Sequence, residues 1–166
     1  RYMFGGQISV PMMLRSQGGT GRSAAAQHSQ SLEAWVMHTP GLHLAMPADA
    51  TDAYVLIKHA LTLADPVIFL EHKGLYAQSF PFNPESAPPW GRAKISRSGN
   101  DCSIICYSRM VQRSLEAAAQ LAELGVWVEV VDLRTLHPLD METVTKSVRK
   151  TGRVLVVTED CLTAGV

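Results

Sequence analysis

One histidine, His28, stands out because it lies where a strand-like segment gives way to a helical pattern. An apolar run at 10–14 and a Gly-rich run at 18–21 precede it, and apolar residues at helical spacing follow it in 32–36. An imidazole at such a corner can face a cleft, where the start of a helix also favours bound negative charge. A lone histidine is more often structural, so the residues by themselves leave a chemical role and a structural role open.

Two other places could carry chemistry. Glu33 lies inside the predicted helix, where a carboxylate is either solvated, or placed to interact with the helix dipole, or functional. Glu71, His72 and Lys73 follow a predicted strand, and ligands of parallel sheets bind at the carboxyl ends of the strands. These three residues therefore either line a crevice or form an ordinary strand end.

Several common sites are excluded by spacing. A nucleotide-binding phosphate loop would need Gly at position 16 and Lys at 22, where the chain has Ser16 and Arg22. We interpret the Gly-rich run as a flexible connection beside His28. The six histidines lack the i, i+4 pairing with a neighbouring acid that a helical zinc site requires. No Ser-His-Asp or Cys-His arrangement follows from the spacing either.

Composition narrows the class of protein further. The 166 residues are 46% apolar and 18% charged, and 15 basic residues balance 15 acidic ones, which argues against an electrostatic nucleic-acid binder. No apolar run approaches the roughly 20 residues of a membrane-spanning helix, so we expect no membrane partner. We expect the three cysteines, Cys102, Cys106 and Cys161, to be reduced and mostly buried.

Alternating apolar patterns predict an α/β fold made of two parallel-sheet units. In the first unit, 1–76, strands around 10–14, 42–46 and 67–70 alternate with helices, the first capped by Ser29 or Ser31 and the second, 52–63, preceded by Asp49. A Pro-rich linker, 77–92, follows. The second unit, 93–166, has strands at 103–107, 127–133 and 154–157, and Asp140 and Gly152 bound its last helix.

Four runs of residues carry a resemblance to a known family. They are AQHSQSLEAW at 26–35, DPVIFLE at 65–71, GRAKI at 91–95 and VVDLRTLHPLD at 130–140. In this order they closely resemble the β subunit of E1 2-oxo acid dehydrogenases of the pyruvate dehydrogenase type, within the transketolase superfamily. The resemblance implies that the chain joins part of a pyrimidine-binding domain to part of a transketolase C-terminal domain.

The resemblance implies an enzyme that uses thiamine diphosphate to decarboxylate pyruvate or a related 2-oxo acid oxidatively and passes the acyl unit to a lipoyl group on E2. His28 matches the family's catalytic histidine, whose imidazole suits proton transfer. The implied partners are an E1 α subunit, in a heterotetramer, and the lipoyl-bearing E2. The family's diphosphate and Mg²⁺ ligands lie in the α subunit and before Arg1, so we expect the isolated chain to be inactive.

The family also implies a monovalent cation site for potassium, and the matching positions are Met12, Ala60, Leu61, Leu63 and Asp65. The expected location is the bacterial cytoplasm, the mitochondrial matrix or the plastid. Two alternatives stay open: an acetoin dehydrogenase β subunit or another transketolase-like enzyme, and a non-catalytic module that docks E2.

Overall fold

The chain forms two four-stranded sheets, in a computed structural model that describes residues 2–21 and 24–166. Arg22 and Ser23, at the end of the Gly-rich run, and Arg1 lie outside the described residues. The strands are β1 Met13–Gly18, β2 His43–Ala45, β3 Val67–His72, β4 Lys94–Arg97, β5 Cys102–Cys106, β6 Val128–Asp132, β7 Thr135–His137 and β8 Val154–Val157. The helices are α1 Glu33–Met37, α2 Ala50–Ala60, α3 Arg109–Glu123 and α4 Met141–Thr151, with short 3-10 turns at Tyr2–Phe4, Ala26–His28, Lys73–Leu75 and Pro84–Ser86.

The first sheet has the strand order β1-β3-β2-β7. Strands β1, β3 and β2 run parallel, as the alternation of strands and helices predicts, whereas β7 joins the edge antiparallel to β2. This last strand comes from the second half of the chain. The sequence does not predict this strand, because three residues are too few to show an alternating hydrophobic pattern and the partner strand is distant in sequence.

The second sheet has the order β4-β6-β5-β8, with β6, β5 and β8 parallel and β4 antiparallel to β6. The carboxyl ends of its parallel strands lead to Tyr107, after β5, and Thr158, after β8. Both sheets are covered by helices, so the predicted α/β class is confirmed. The antiparallel edge strands are the additions that the sequence patterns missed.

Helix caps follow the predicted chemistry in two places. The Asp49 carboxylate accepts a hydrogen bond from the Asp52 backbone N–H (2.8 Å) and starts α2. The Asp140 carboxylate accepts one from the Thr143 N–H (3.1 Å) and starts α4, and Gly152 ends that helix with a left-handed φ of 67°.

The first helix differs from its prediction. α1 begins only at Glu33, its N-cap residue is Leu32, and no side chain caps it, so the predicted caps Ser29 and Ser31 are wrong. The helix turns Glu33 inward, where only 2% of it is exposed, and leaves Trp35 75% exposed. The physical reason is the polar partner that Glu33 finds on the second unit, described below.

The largest core cluster lies between the two sheets. It joins Leu44 and Met46 of the first unit to Ile105, Val131 and Leu136 of the second half. A second cluster packs α3 onto the second sheet, and a third packs α2 onto the first. The two units therefore share apolar burial as well as the edge strand β7. This packing fixes the position of the crevice between the two sheets, at the carboxyl ends of their parallel strands.

The cysteines are all free, but Cys161 is exposed, so its predicted burial is wrong; Cys106 is buried and Cys102 half-buried. Cys161 lies beyond the last strand, where no second layer covers it in the described part of the chain. None of the helices found in residues 2–21 and 24–166 has the length and apolar character of a membrane span.

Candidate functional site

His28 ends the short 3-10 turn Ala26–His28, between β1 and α1, and its side chain is exposed. The His28 N–H donates to the Ala25 carbonyl (3.3 Å), and Lys73 Nζ donates to the His28 carbonyl (2.7 Å). Two residues later, the Gln30 carbonyl accepts from the Gly19 N–H (3.2 Å). The imidazole is thus presented to the outside by a loop that is fastened on both sides to the carboxyl end of the first sheet.

The Gly-rich run before this loop is tightly packed at one position. Gly19 has φ of 90°, and a Cβ built there would lie 2.1 Å from Cδ2 of the His72 ring. A side chain is therefore excluded both by backbone conformation and by space. The neighbouring Thr20 hydroxyl donates to Glu159 (2.6 Å), and Arg109 Nη1 donates to the Thr20 carbonyl (3.1 Å). These contacts tie the run to the second unit.

Each member of the strand-end group Glu71, His72 and Lys73 contacts a different segment. The Glu71 carboxylate accepts from Arg15 Nε on β1 (2.8 Å) and from the Tyr76 hydroxyl (2.9 Å). The pKa of the Tyr76 hydroxyl is raised by burial and by its bond to this carboxylate. The sequence left open whether this group lines a crevice or ends a strand. Glu71 and His72 end β3 and line the cavity described below, whereas Lys73 begins the turn that follows.

His72 bridges the two units. Its ring is 4% exposed, Nδ1 accepts from the Gly74 N–H (2.9 Å), and Nε2 lies 2.8 Å from Glu159 Oε2. Because Nδ1 accepts a hydrogen bond, the proton of the neutral ring lies on Nε2, facing Glu159. Burial acts to raise the pKa of Glu159, but the hydrogen bonds from His72 and Thr20 outweigh it, so the pKa of Glu159 is lowered.

A second polar contact crosses the crevice further inside. The Tyr107 hydroxyl donates to Glu33 Oε1 (3.0 Å) and lies 2.5 Å from the Thr158 hydroxyl. Burial raises the pKa of the Glu33 carboxyl, and the charges of Asp160 and Glu159 raise it further against the lowering effect of the Tyr107 bond. Burial also raises the pKa of Tyr107. Glu33 is therefore a buried carboxyl that joins α1 to the second unit, and not a solvated surface acid.

Between these contacts lies a cavity of about 70 Å³, lined by residues of both units that include Gln17, Leu32, Glu33, His72, Tyr107 and Ser108. The Ser108 hydroxyl is buried there and has no hydrogen-bond partner among the described residues. A cavity of this size and polarity holds a few water molecules. His28 is not part of its lining, and its side chain is exposed.

Models of two domains from one protein family match the two units of the chain. A model of the transketolase pyrimidine binding domain matches residues 1–78, and a model of the transketolase C-terminal domain matches residues 91–166. The chain belongs to the transketolase family. The resemblance read from the four sequence motifs is confirmed, and with it the α/β class.

Two relatives with similar sequences are named as β subunits. The chain is 50% identical over 161 residues to the acetoin:2,6-dichlorophenolindophenol oxidoreductase subunit beta of Cupriavidus necator, covering 96% of this chain and 47% of that protein. It is 45% identical over 163 residues to the mitochondrial pyruvate dehydrogenase E1 component subunit beta-2 of Oryza sativa subsp. japonica, covering 95% and 43%. The chain thus spans slightly less than half the length of these relatives.

A solved structure gives the same fold. A split gene transketolase, an inactive beta4 tetramer, superimposes with a TM-score of 0.80 at 25% identity, covering 99% of this chain and 54% of that chain. The curated relatives include bacterial and mitochondrial proteins, such as the pyruvate dehydrogenase E1 component subunit beta of Rhizobium meliloti, which is 44% identical over 160 residues, covering 95% of this chain and 35% of that protein.

The five positions predicted for a cation lie at one corner of this transketolase-type sheet. The Val10 N–H donates to the Ala64 carbonyl (2.9 Å) and the Val67 N–H to the Met12 carbonyl (2.9 Å), which joins the segment before β1 to the turn after α2. Of the other four positions, Ala60 is the last residue of α2, and Leu61, Leu63 and Asp65 lie in the turn after it. The Ala60 carbonyl already accepts from the Leu63 N–H (3.3 Å). The cation site stays a prediction.

The described residues contain no group of three or more His, Cys, Asp or Glu side chains that could hold a metal ion. Sequence reasoning missed Tyr107, Ser108, Thr158 and Glu159. The signal that could have found them is their position, because all four directly follow the parallel strands β5 and β8.

Proposed function

We propose that this chain is part of the β subunit of a thiamine diphosphate-dependent E1 2-oxo acid dehydrogenase. The reaction is the oxidative decarboxylation of pyruvate or a related 2-oxo acid, with transfer of the acyl unit to a lipoyl group on E2. The observation that carries the proposal is an exposed imidazole, His28, at the carboxyl end of a transketolase pyrimidine-binding sheet in a chain that is 45% identical to a pyruvate dehydrogenase β subunit.

His28 is the catalytic residue of this proposal. Thiamine diphosphate, when bound, supplies the electron sink for the loss of CO₂. The imidazole holds or moves a proton beside the reacting carbonyl, because histidine is the side chain that ordinarily changes protonation between pH 5 and 8. We propose that the α subunit provides the ligands for the diphosphate and for Mg²⁺, and that the active centre lies where the two subunits meet.

The test is His28→Ala in the complete β subunit, assembled with its α subunit. We expect turnover of the 2-oxo acid to fall by about 10²- to 10⁴-fold, the usual contribution of a positioned acid–base group. His38→Ala is the matched control, since His38 is also exposed and lies ten positions further along the chain. Unchanged turnover combined with loss of E2 binding would replace the enzymatic role with the docking role.

An acetoin-cleaving enzyme is the second candidate. The observation in its favour is the 50% identity to the Cupriavidus necator acetoin oxidoreductase subunit, against 45% to the rice pyruvate dehydrogenase subunit. Assays of the assembled enzyme with pyruvate, branched-chain 2-oxo acids and acetoin, each alone, discriminate the two. Turnover of acetoin without turnover of pyruvate would decide for this candidate.

Three further proposals accompany this function. The units divide at 76–77 and 92–93, with the Pro-rich segment between them.

Potassium binds near Met12 and the turn after α2 through carbonyl oxygens, which suit a hard monovalent ion. The test is the melting temperature, which should be higher in KCl than in the same concentration of tetramethylammonium chloride. The location is the bacterial cytoplasm, the mitochondrial matrix or the plastid, which immunofluorescence or fractionation of the source cells tests.

A further inference from the structure

The carboxyl end of β3 supports the loop that bears His28. The strand itself is rigidly placed, because Val67 and Phe69 are completely buried. The next turn, Lys73–Leu75, is capped by the His72 ring, whose Nδ1 accepts from the Gly74 N–H (2.9 Å). The backbone of Lys73 is therefore anchored to a buried strand of the first sheet.

Lys73 reaches from this turn to the His28 loop. Its Nζ donates to the His28 carbonyl oxygen at 2.7 Å, a contact between residues 45 positions apart in sequence. Hydrogen bonds from a charged donor are shorter and stronger than neutral ones. Within the loop, the His28 N–H makes only a longer bond, 3.3 Å, to the Ala25 carbonyl. The shorter of these two hydrogen bonds at the His28 backbone thus comes from Lys73.

We propose that Lys73 is a positioning residue for His28: its ammonium group holds the His28 carbonyl and thereby fixes where the exposed imidazole points. The inference rests on the proposed function, in which that imidazole handles a proton. Proton transfer depends steeply on geometry, and a displacement of about 1 Å can cost about 10²-fold in rate. In this proposal Lys73 acts through its contact with the His28 carbonyl.

The experiment compares Lys73→Met with Lys73→Arg in the complete β subunit assembled with its α subunit. Methionine keeps the length of the aliphatic stem and removes the donor, whereas arginine keeps the charge and the donors. We expect Lys73→Met to lower kcat about tenfold with little change in KM for the 2-oxo acid, and Lys73→Arg to recover most of the loss. Lys146→Met, at an exposed lysine on α4, is the control for loss of one positive charge.

A second readout needs neither cofactor nor substrate. Amide hydrogen exchange of a peptide covering 24–30 should speed up at least severalfold in Lys73→Met and stay near the wild-type rate in Lys73→Arg and Lys146→Met. Equal exchange in all four proteins would overturn the inference, as would faster exchange in Lys73→Met with a wild-type kcat.

The double variant His28→Ala/Lys73→Met separates this inference from the proposed function. If Lys73 acts through His28, the double variant turns over as slowly as His28→Ala alone, because effects of residues that act as a unit are not additive. A further tenfold loss would show that Lys73 acts independently and would overturn the inference alone. Full activity of His28→Ala would overturn the proposed role of His28 and, with it, this role of Lys73.

Discussion

At Gly19, both the backbone conformation and the packing require a residue without a side chain. Gly19 and Gly41 have nearly the same left-handed φ, 90° and 88°, but only Gly19 has a neighbour, the His72 ring, where a side chain would begin. A substitution to alanine therefore adds the same backbone strain at both sites and a steric clash at only one of them. The pair separates the two costs.

We predict that Gly19→Ala destabilises the protein more than Gly41→Ala. Both substitutions cost about 1–2 kcal/mol of stability, because alanine is strained in a left-handed backbone conformation. Gly19→Ala pays about a further 1–3 kcal/mol, because the buried His72 ring has to move. Urea denaturation of the two variants measures the difference. Equal free energies of unfolding would mean that the ring yields without cost.

His43 makes stability depend on pH. Burial, reinforced by the charge of the neighbouring His137, lowers the pKa of His43, and its ring lies 5.7 Å from that of His137 and 6.2 Å from that of Trp90. The unfolded chain therefore binds a proton at His43 at a higher pH than the folded chain does. Stability is lost as pH falls below about 6.5, the ordinary value for histidine.

We predict a smaller loss of stability between pH 7 and pH 5.5 for His43→Gln than for the wild type. One proton accounts for at most about 1.4 kcal/mol per pH unit. Free energies of unfolding at several pH values check the difference in slope, which isolates this histidine from the carboxylates. Parallel slopes for the two proteins would contradict it.

Among the elements, α2 and the turn after β6 are joined by a buried ion pair. Arg134 is fully buried with φ of 59°; its Nε donates to Asp52 Oδ1 (2.6 Å), and its Nη1 donates to the carbonyls of Pro89 (3.2 Å) and Arg92 (2.9 Å). One side chain thus connects α2, the Pro-rich segment and the end of β6 in the second sheet. Burial raises the pKa of Asp52 against the opposing charge of Arg134.

We predict that Arg134→Met costs about 3–5 kcal/mol of stability, because it leaves the Asp52 carboxylate buried without its cation. Arg113→Met is the control: Arg113 pairs with Glu116 on the exposed face of α3, and such pairs contribute about 0–1 kcal/mol. Asp52→Asn combined with Arg134→Met should recover part of the loss. Equal stability of the two arginine variants in denaturant would refute the prediction.

The elements that the sequence predicts well are those with their own local signals. Strand β3 begins with four consecutive apolar residues, β5 is mostly apolar, and α2 and α4 start at aspartate caps, so pattern and capping chemistry place them. Strand β7 and the orientation of α1 have no such signal. β7 is defined by its pairing with β2, and α1 by the hydrogen bond between Glu33 and Tyr107, and both partners are distant in sequence.

The residues of the candidate site divide in the same way. His28 could be selected from its position between elements and from the family resemblance, and the strand-end group 71–73 from its position alone. The contacts from Tyr107, Thr158 and Glu159 could not, since they depend on how the second sheet packs against the first.

At the scale of the whole molecule, the proposed function places the ligands for the diphosphate and Mg²⁺ on the α subunit. We predict on that basis that these 166 residues, purified alone, show no measurable decarboxylation of pyruvate even with thiamine diphosphate and Mg²⁺. The physical reason is that an exposed imidazole without the rest of the centre supplies only one of the required groups. Circular dichroism establishes that the chain is folded, and the complete αβ enzyme is the positive control. Turnover by the chain alone would contradict the prediction.

Strand β7 gives the two halves a shared backbone ladder, because it leaves the second sheet and completes the edge of the first beside β2. A protease cut in the Pro-rich segment 77–92 would sever the covalent connection without releasing either piece. The nicked protein should migrate as one particle in gel filtration and separate into two polypeptides only in denaturant. Two pieces expressed separately should likewise find each other and restore the native fold by complementation.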